Sequence, residues 1–229
     1  MASSTCSACL LRGTRRPGGD PVPLIICGAS TAVGAFAIKL AVSAGIHPII
    51  AVGGSSSGFI RGVLRAEQGD TFLDYTAYRN PEDLAAAIKQ ALLAAGIKEG
   101  RRAPYALDAV SKPGTYDAVL SRAMTGTSVE KPRLAVVLAT IDRSTVDPSV
   151  ELLEVYSGIA HQGGDVGRRF AYVTCRVLAL GLAEGWITPH PYEVRDDGLE
   201  ALEGALRESR EGRIRGKKVL LRMRRAEGD

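Results

Sequence analysis

The chain has 229 residues, 45% of them apolar and 26 of them glycine, enough to bury the core of one α/β domain with an appendage and too many for a small scaffold stapled by disulfides. With 24% charged and 5% aromatic residues, it is neither a disordered polyelectrolyte nor an aromatic stacking surface for single-stranded nucleic acid. The 29 basic and 25 acidic residues leave a net charge of +4, a mild excess that identifies no partner until its distribution is considered.

From Met1 to Gly19 the chain carries the arginines Arg12, Arg15 and Arg16 and no acid, a composition shared with transit segments. It lacks an amphipathic period and breaks at Pro17, Gly18 and Gly19, so residues 1–22 read as a disordered leader. Cys6 and Cys9 form a Cys-x-x-Cys pair. It follows no strand, as a redox motif would, and no further ligands accompany it, so no metal site is expected.

Structured sequence begins at Pro23, where the apolar run Leu24 to Cys27 predicts a buried strand that meets a tight turn. Ala35 to Ala44 predicts a helix stopped by Gly45, and Pro48 to Val52 a second strand. Ser57 to Gln68 reads as a helix and Thr71 to Asp74 as a third strand. Asn80, Pro81, Glu82 and Asp83 form a helix start with N-cap, first-position proline and acidic first turn, and that helix is expected to end at Gly96. Ala103 to Val110 predicts a strand, Tyr116 to Met124 a helix and Leu134 to Ala139 a fifth strand. A long, glycine-punctuated connection is expected between Asp142 and Gly164, followed by a helix over Val166 to Leu182. A strand within Pro189 to Val194, a helix from Leu199 to Glu211 and a strand from Lys217 to Met223 close the chain.

Alternating strands and helices imply an α/β fold with a doubly wound parallel sheet. The expected organisation is a leader over 1–22, a nucleotide-binding domain over 23–189, and a strand-helix-strand segment over 190–229. In that last segment Arg207, Arg210, Arg213, Arg215, Lys217, Lys218, Arg222, Arg224 and Arg225 face only Glu208 and Glu211. This reads as a solvated helix and strand, so no nucleic-acid partner is expected. No apolar run approaches the ~20 residues of a membrane span. A cytoplasmic protein without a membrane partner is therefore expected.

The chemistry of this sequence lies in Gly28-Ala29-Ser30-Thr31-Ala32-Val33-Gly34. A strand running through a small-residue turn into a helix gathers backbone N–H groups and the positive end of a helix dipole, where a pyrophosphate is held. The strict Gly-x-Gly-x-x-Gly pattern is relaxed to Gly28 and Gly34, and a structural turn without a ligand is the other reading. No Lys-Ser/Thr ending is present, which argues against a nucleoside-triphosphatase. At the end of the second strand, Gly53-Gly54-Ser55-Ser56 contains no carboxylate to bind both ribose hydroxyls. Small hydroxylated residues there suit a 2′-phosphate, with Arg61 as counter-charge. An ordinary flexible loop is the alternative. Tyr75 reads either as a contact for the adenosine or as a core side chain.

These residues resemble the zinc-independent medium-chain dehydrogenases/reductases, most closely the quinone-oxidoreductase-like and fungal trans-acting enoyl reductase group. The resemblance is carried by Ile25 to Ala41, Ile46 to Ala51, Phe72 to Tyr75, Tyr105 to Val110, and Gly185 to Val194 with Gly198 to Glu200, in that order over about residues 22 to 223. It implies a Rossmann domain that binds NADP(H) and delivers hydride to an activated double bond or carbonyl. It also implies a pyrophosphate turn at Gly28 to Gly34, a 2′-phosphate loop at Gly53, Gly54, Ser55 and Ser56, and Tyr75 beside the adenosine. Asp108, Leu138, Ala139 and Thr140 would lie nearer the nicotinamide.

In that family a substrate domain precedes the nucleotide fold, and residues 1–22 are too short to replace it. The segment from about Pro191 is then expected to lack its partner, leaving apolar strands that favour a homodimer. The function so implied is an NADPH-dependent enoyl or quinone reductase of specialised metabolism, acting on a small-molecule or carrier-bound polyketide-like substrate. The alternative is a non-catalytic NADP-binding remnant or accessory subunit. No catalytic side chain is named by the sequence.

Overall fold

The computed structural model describes residues 22–98, 103–124, 131–138 and 141–223. The leader and the Cys6–Cys9 pair lie outside them. Six strands, β1 (Leu24–Cys27), β2 (Ile49–Gly53), β3 (Thr71–Asp74), β4 (Tyr105–Asp108), β5 (Arg133–Val136) and β6 (Glu151–Glu154), form one sheet in the order β3-β2-β1-β4-β5-β6. Every pairing is parallel. All strands therefore run the same way, and their carboxyl ends share one edge.

Alternate residues of the central strands feed two separate cores. Leu24, Ile26, Ile49 and Ala51 pack with Ala35, Ile38 and Ala41 of helix α1 (Ala32–Ser43). On the opposite face, Ile25, Cys27, Ile50 and Val52 pack with Leu84, Ile88 and Leu92 of helix α3 (Pro81–Ala94) and with Tyr116, Val119 and Leu120. Period-two strands between period-3.6 helices produce this doubly wound arrangement, as the continuous apolar runs imply. The α3 start matches the sequence reading, with Asn80 Oδ1 accepting from the Asp83 amide at 2.8 Å.

Three sequence expectations are corrected. Ser57 to Gln68 is not one helix: a 3-10 turn at Ser55–Ser57 leads into the short helix α2 (Gly58–Arg61), and a further 3-10 turn follows at Ala66–Gln68. The Arg65 amide donates to Asp70 Oδ2 at 2.9 Å, in place of the carbonyl four residues back that a helix would use. The connection after β5 contains the edge strand β6, whose two leucines between glutamates are too brief to register as a pattern. Its ends are charged and paired, Glu151 with Arg133 at 3.0 Å and Glu154 with Arg143 at 2.7 Å, as befits an edge. Finally, Tyr116–Ser121 is a π-helix, with the Leu120 amide bonding Thr115 O at 2.9 Å.

Asp70 also ties down the amino edge of the sheet. Fully buried, it accepts from the Ile49 amide at 2.8 Å and lies 2.8 Å from His47 Nδ1. After β6 come the short helix α4 (Ile159–Gln162) and the long helix α5 (Gly164–Glu184), which ends at Gly185 with φ +79°. The buried Lys39 ammonium on α1 donates to Thr188 O at 2.9 Å.

The chain divides into two compact units between Thr188 and Pro189. In the second, β7 (Tyr192–Arg195) pairs in parallel with β8 (Lys218–Leu221) across helix α6 (Leu202–Arg210). Arg195 holds Glu208 through both terminal nitrogens, at 3.3 and 2.7 Å, and Glu193 pairs with Lys217. Val194, Leu199, Leu202, Leu206 and Leu220 are exposed, whereas Val219 and Leu221 are half-buried.

Two substitutions test this account of the core. Ile50→Ala empties a fully buried position and is expected to cost about 2–5 kcal/mol. Removing the α3 cap with Asn80→Ala is expected to cost about 1 kcal/mol. Urea unfolding followed by circular dichroism measures both, and equal losses would contradict the assignment.

Candidate functional site

At the carboxyl edge, β1 turns into α1 within four residues. Gly28 adopts φ +82°, a conformation that only glycine reaches without strain. A methyl group there would also lie 2.7 Å from Val110 Cγ2. Thr31 caps α1: its hydroxyl donates to Gly28 O at 2.8 Å and accepts from the Gly34 amide at 3.0 Å. A Cβ at Gly34 would overlap Gly28 O, so helix and strand touch backbone to backbone at this point. Ala29 is buried, while Ser30, Thr31, Ala32 and Val33 reach the surface. The first turn of α1 contains no acid, leaving the positive end of the helix uncompensated by its own residues.

Next to this turn, Gly53 ends β2 and Gly54 caps the 3-10 turn that holds Ser55 and Ser56. A Cβ on Gly54 would meet the Tyr75 ring at 3.1 Å, so the second glycine lies against the residue that follows β3. Tyr75 is 55% exposed, which removes the core-tyrosine reading. The Arg61 guanidinium stacks over the Phe72 ring at 4.0 Å and stands 3.9 Å from Asp74. The hydroxyl and amide of Thr76 hold the Asp74 carboxyl below the ordinary aspartate range, and Arg61 adds to the effect.

Asp108 ends β4 with a fully buried side chain. One carboxylate oxygen accepts from the Val110 and Ser111 amides, each at 2.9 Å, and the other accepts from the Thr115 hydroxyl at 2.6 Å. Burial pushes this carboxyl above the ordinary aspartate range, against the opposing effect of those hydrogen bonds. Asp108 is thus directed into its own loop. Leu138, 44% exposed, lies just past β5 at the same edge. Ala139 and Thr140 fall outside the described residues.

The structure therefore collects Gly28 to Gly34, Gly53 to Ser56, Tyr75, Asp108 and Leu138 along one edge. Sequence reasoning passed over several residues that shape it. Asp74 is paired in register with Gly53, so a carboxylate does stand near the β2 end, contributed by the neighbouring strand. Ser57 is fully buried, and its hydroxyl has no hydrogen-bond partner among the described residues. Ser111 and Thr115 flank a Lys-Pro-Gly turn that marks a loop without revealing its link to Asp108. Among the described residues no cluster of His, Cys, Asp or Glu is arranged to hold a metal.

Comparison with known proteins agrees with the fold. No family model matches the chain. It is 29% identical over 182 residues to the trans-enoyl reductase fsr4 of Gibberella fujikuroi, an alignment covering 79% of this chain and 49% of that protein. The chain spans about half the length of the curated relatives it matches. Among solved structures it is similar to the CurF ER cyclopropanase of the curacin A biosynthetic pathway, with TM-score 0.62 and 18% identity over 94% of this chain and 59% of that one. It is likewise similar to mycobacterial Rv1454c complexed with NADPH, with TM-score 0.62 and 15% identity over 96% of this chain and 62% of that one. The resemblance to trans-enoyl reductases and to the medium-chain dehydrogenase/reductase fold, read first in the sequence, is borne out.

The backbone contact at Gly34 makes a sharp prediction. Gly34→Ala forces a methyl group into Gly28 O and is expected to destabilise the chain by about 1–3 kcal/mol. At Gly62 an added Cβ meets nothing within 4 Å, and Gly62→Ala is expected to stabilise by about 0.4–1 kcal/mol. Urea midpoints for the pair separate a close approach from a general intolerance of glycine replacement.

Proposed function

We propose that this chain binds NADPH along the carboxyl edge of its sheet and is the nucleotide-binding part of an enoyl reductase of specialised metabolism. The reading is carried by the juxtaposition of the Gly28–Gly34 turn with the Gly53–Ser56 loop, where Gly34 lies against Gly28 O with no room for a side chain and Gly54 lies close to the Tyr75 ring. Similarity to a trans-enoyl reductase supports the reaction class.

The residues present fit a phosphorylated dinucleotide. Ser30, Ala32 and Val33 offer amides at the start of α1 to a pyrophosphate, with no acid in that turn to oppose it. Ser55, Ser56 and the exposed Arg61 face a 2′-phosphate, and Tyr75 lies beside the adenosine. Arg61 also offsets Asp74, whose ionised carboxylate would otherwise repel that phosphate. Leu138 borders the nicotinamide end. When bound, NADPH supplies the hydride for an activated double bond or carbonyl on a small or carrier-bound polyketide-like substrate. The chain's part is to hold and orient it. Among the described residues no helix is long and apolar enough to cross a membrane, and the setting proposed is the cytoplasm.

A second reading, a nucleotide-binding subunit without turnover, draws on Asp108. Its carboxylate is spent on the amides of its own loop and is not offered to a substrate. NADPH consumption with an α,β-unsaturated thioester or a quinone distinguishes the two.

Fluorescence titration is expected to show NADPH binding at least about tenfold tighter than NADH, and equal affinities would reject the 2′-phosphate assignment. Ser55→Asp should shift the preference toward NADH by placing a like charge beside that phosphate. Ala32→Glu should abolish binding of both nucleotides while the far-ultraviolet circular dichroism stays unchanged; retained affinity would show that the turn is structural only.

A further inference from the structure

The loop after β4 is held by more hydrogen bonds than a strand exit requires. Ser111 sits at φ +54°, a left-handed conformation rare for a residue with a side chain, and is 2% exposed. Its hydroxyl donates to Asp108 O at 2.7 Å and accepts from the Val137 amide at 2.8 Å. It therefore bridges the exit of β4 to the exit of β5, one residue before Leu138. Asp108 holds the Ser111 amide from the other side. The Thr115 hydroxyl has one proton and two acceptors within reach, Asp108 Oδ2 at 2.6 Å and Lys112 O at 2.7 Å. A carboxylate is the stronger acceptor of the two.

The same loop meets the glycine turn. The Ala109 amide donates to Cys27 O at 3.0 Å, and Val110 packs so closely on Gly28 that a methyl group there would be 2.7 Å from Val110 Cγ2. One network thus sets the position of Ala109 and Val110 against the turn and the position of Val137 at the next strand end. A left-handed serine is maintained only where its surroundings over-determine it, and here they comprise a buried carboxylate, a hydroxyl and the Val137 amide just past the end of β5.

We infer that Asp108, Ser111 and Thr115 are positioning residues that shape the nicotinamide half of the nucleotide cleft without contacting the adenosine half. The inference rests on the NADPH reading above and extends it to residues that touch no nucleotide. The adenosine half is built by β2, β3 and their loops, which none of these hydrogen bonds reach. Loss of the network is therefore felt by the whole dinucleotide and not by its adenosine portion.

The test is a pair of substitutions at Thr115 titrated with two ligands. The first is NADPH. The second is adenosine 2′-monophosphate, which keeps the 2′-phosphate but has neither a 5′-phosphate for the glycine turn nor a nicotinamide. Thr115→Val preserves shape and removes the hydroxyl; it is expected to weaken NADPH binding about tenfold while the monophosphate affinity stays within about twofold. Thr115→Ser keeps the hydroxyl and should restore NADPH affinity. Ser111→Gly is a second variant, suited to the left-handed backbone but unable to bridge Val137, and should repeat the Thr115→Val pattern. Equal loss of both ligands, unchanged NADPH affinity, or failure of Thr115→Ser to rescue would each overturn the inference while leaving the NADPH reading intact. Wild-type protein that binds neither ligand would overturn both.

Discussion

The contact between α1 and β1 is the constraint on which this structure turns. Because Gly34 rests on Gly28 O without an intervening side chain, the helix begins close to the strand end and its first amides stand at the sheet edge. Any larger residue would push the helix away, opening the turn and displacing the Thr31 cap that closes it. Both cores depend on the same approach. The α1 side chains that cover one face of the sheet are delivered by it, and the loop after β4 packs against Gly28 from the other side.

Parallel strand order does the rest. Strands that all point one way must return by crossovers, and their carboxyl ends consequently form a single row. Segments as distant as Gly28, Gly54, Tyr75, Asp108 and Leu138 then become neighbours along one rim without any of them being chosen for local structure. Charge along that rim is handled in two ways. At the β3 end Asp74 stays ionised, at the surface, beside Arg61. At the β4 end Asp108 is buried and surrounded by amides and a hydroxyl. The first arrangement leaves a cation exposed to solvent, and the second fixes a backbone.

Much of this was legible from residue types. Continuous apolar runs identified the buried strands β1 and β2, Asn80 and Pro81 announced α3, and the small residues from Gly28 to Gly34 identified the turn. What escaped was decided by distant partners. Arg65 leaves the helical path because Asp70 supplies an acceptor, and β6 exists because β5 offers an edge to pair with, since its own two leucines carry no period. Asp108 drew notice for its place at a strand end, but only the folded loop shows its carboxylate turned inward. The Asp74 carboxylate was missed because attention to the β2 end considers one strand, whereas register brings in the next.

Cys27 lies in the last position of β1, immediately before Gly28 and packed in the core, where burial first and the nearby Asp108 charge second drive its thiol far above the ordinary cysteine range. A thiol so placed is poorly reactive while the sheet is closed, because the thiolate is the reactive form and only 6% of the residue is exposed. Cys175 on α5, by contrast, is exposed. Reaction at a thiol buried like Cys27 is governed by how often β1 separates from its neighbours. Cys27 and Gly28 are consecutive residues, so the turn that positions α1 and the protection of this sulfur belong to the same strand exit.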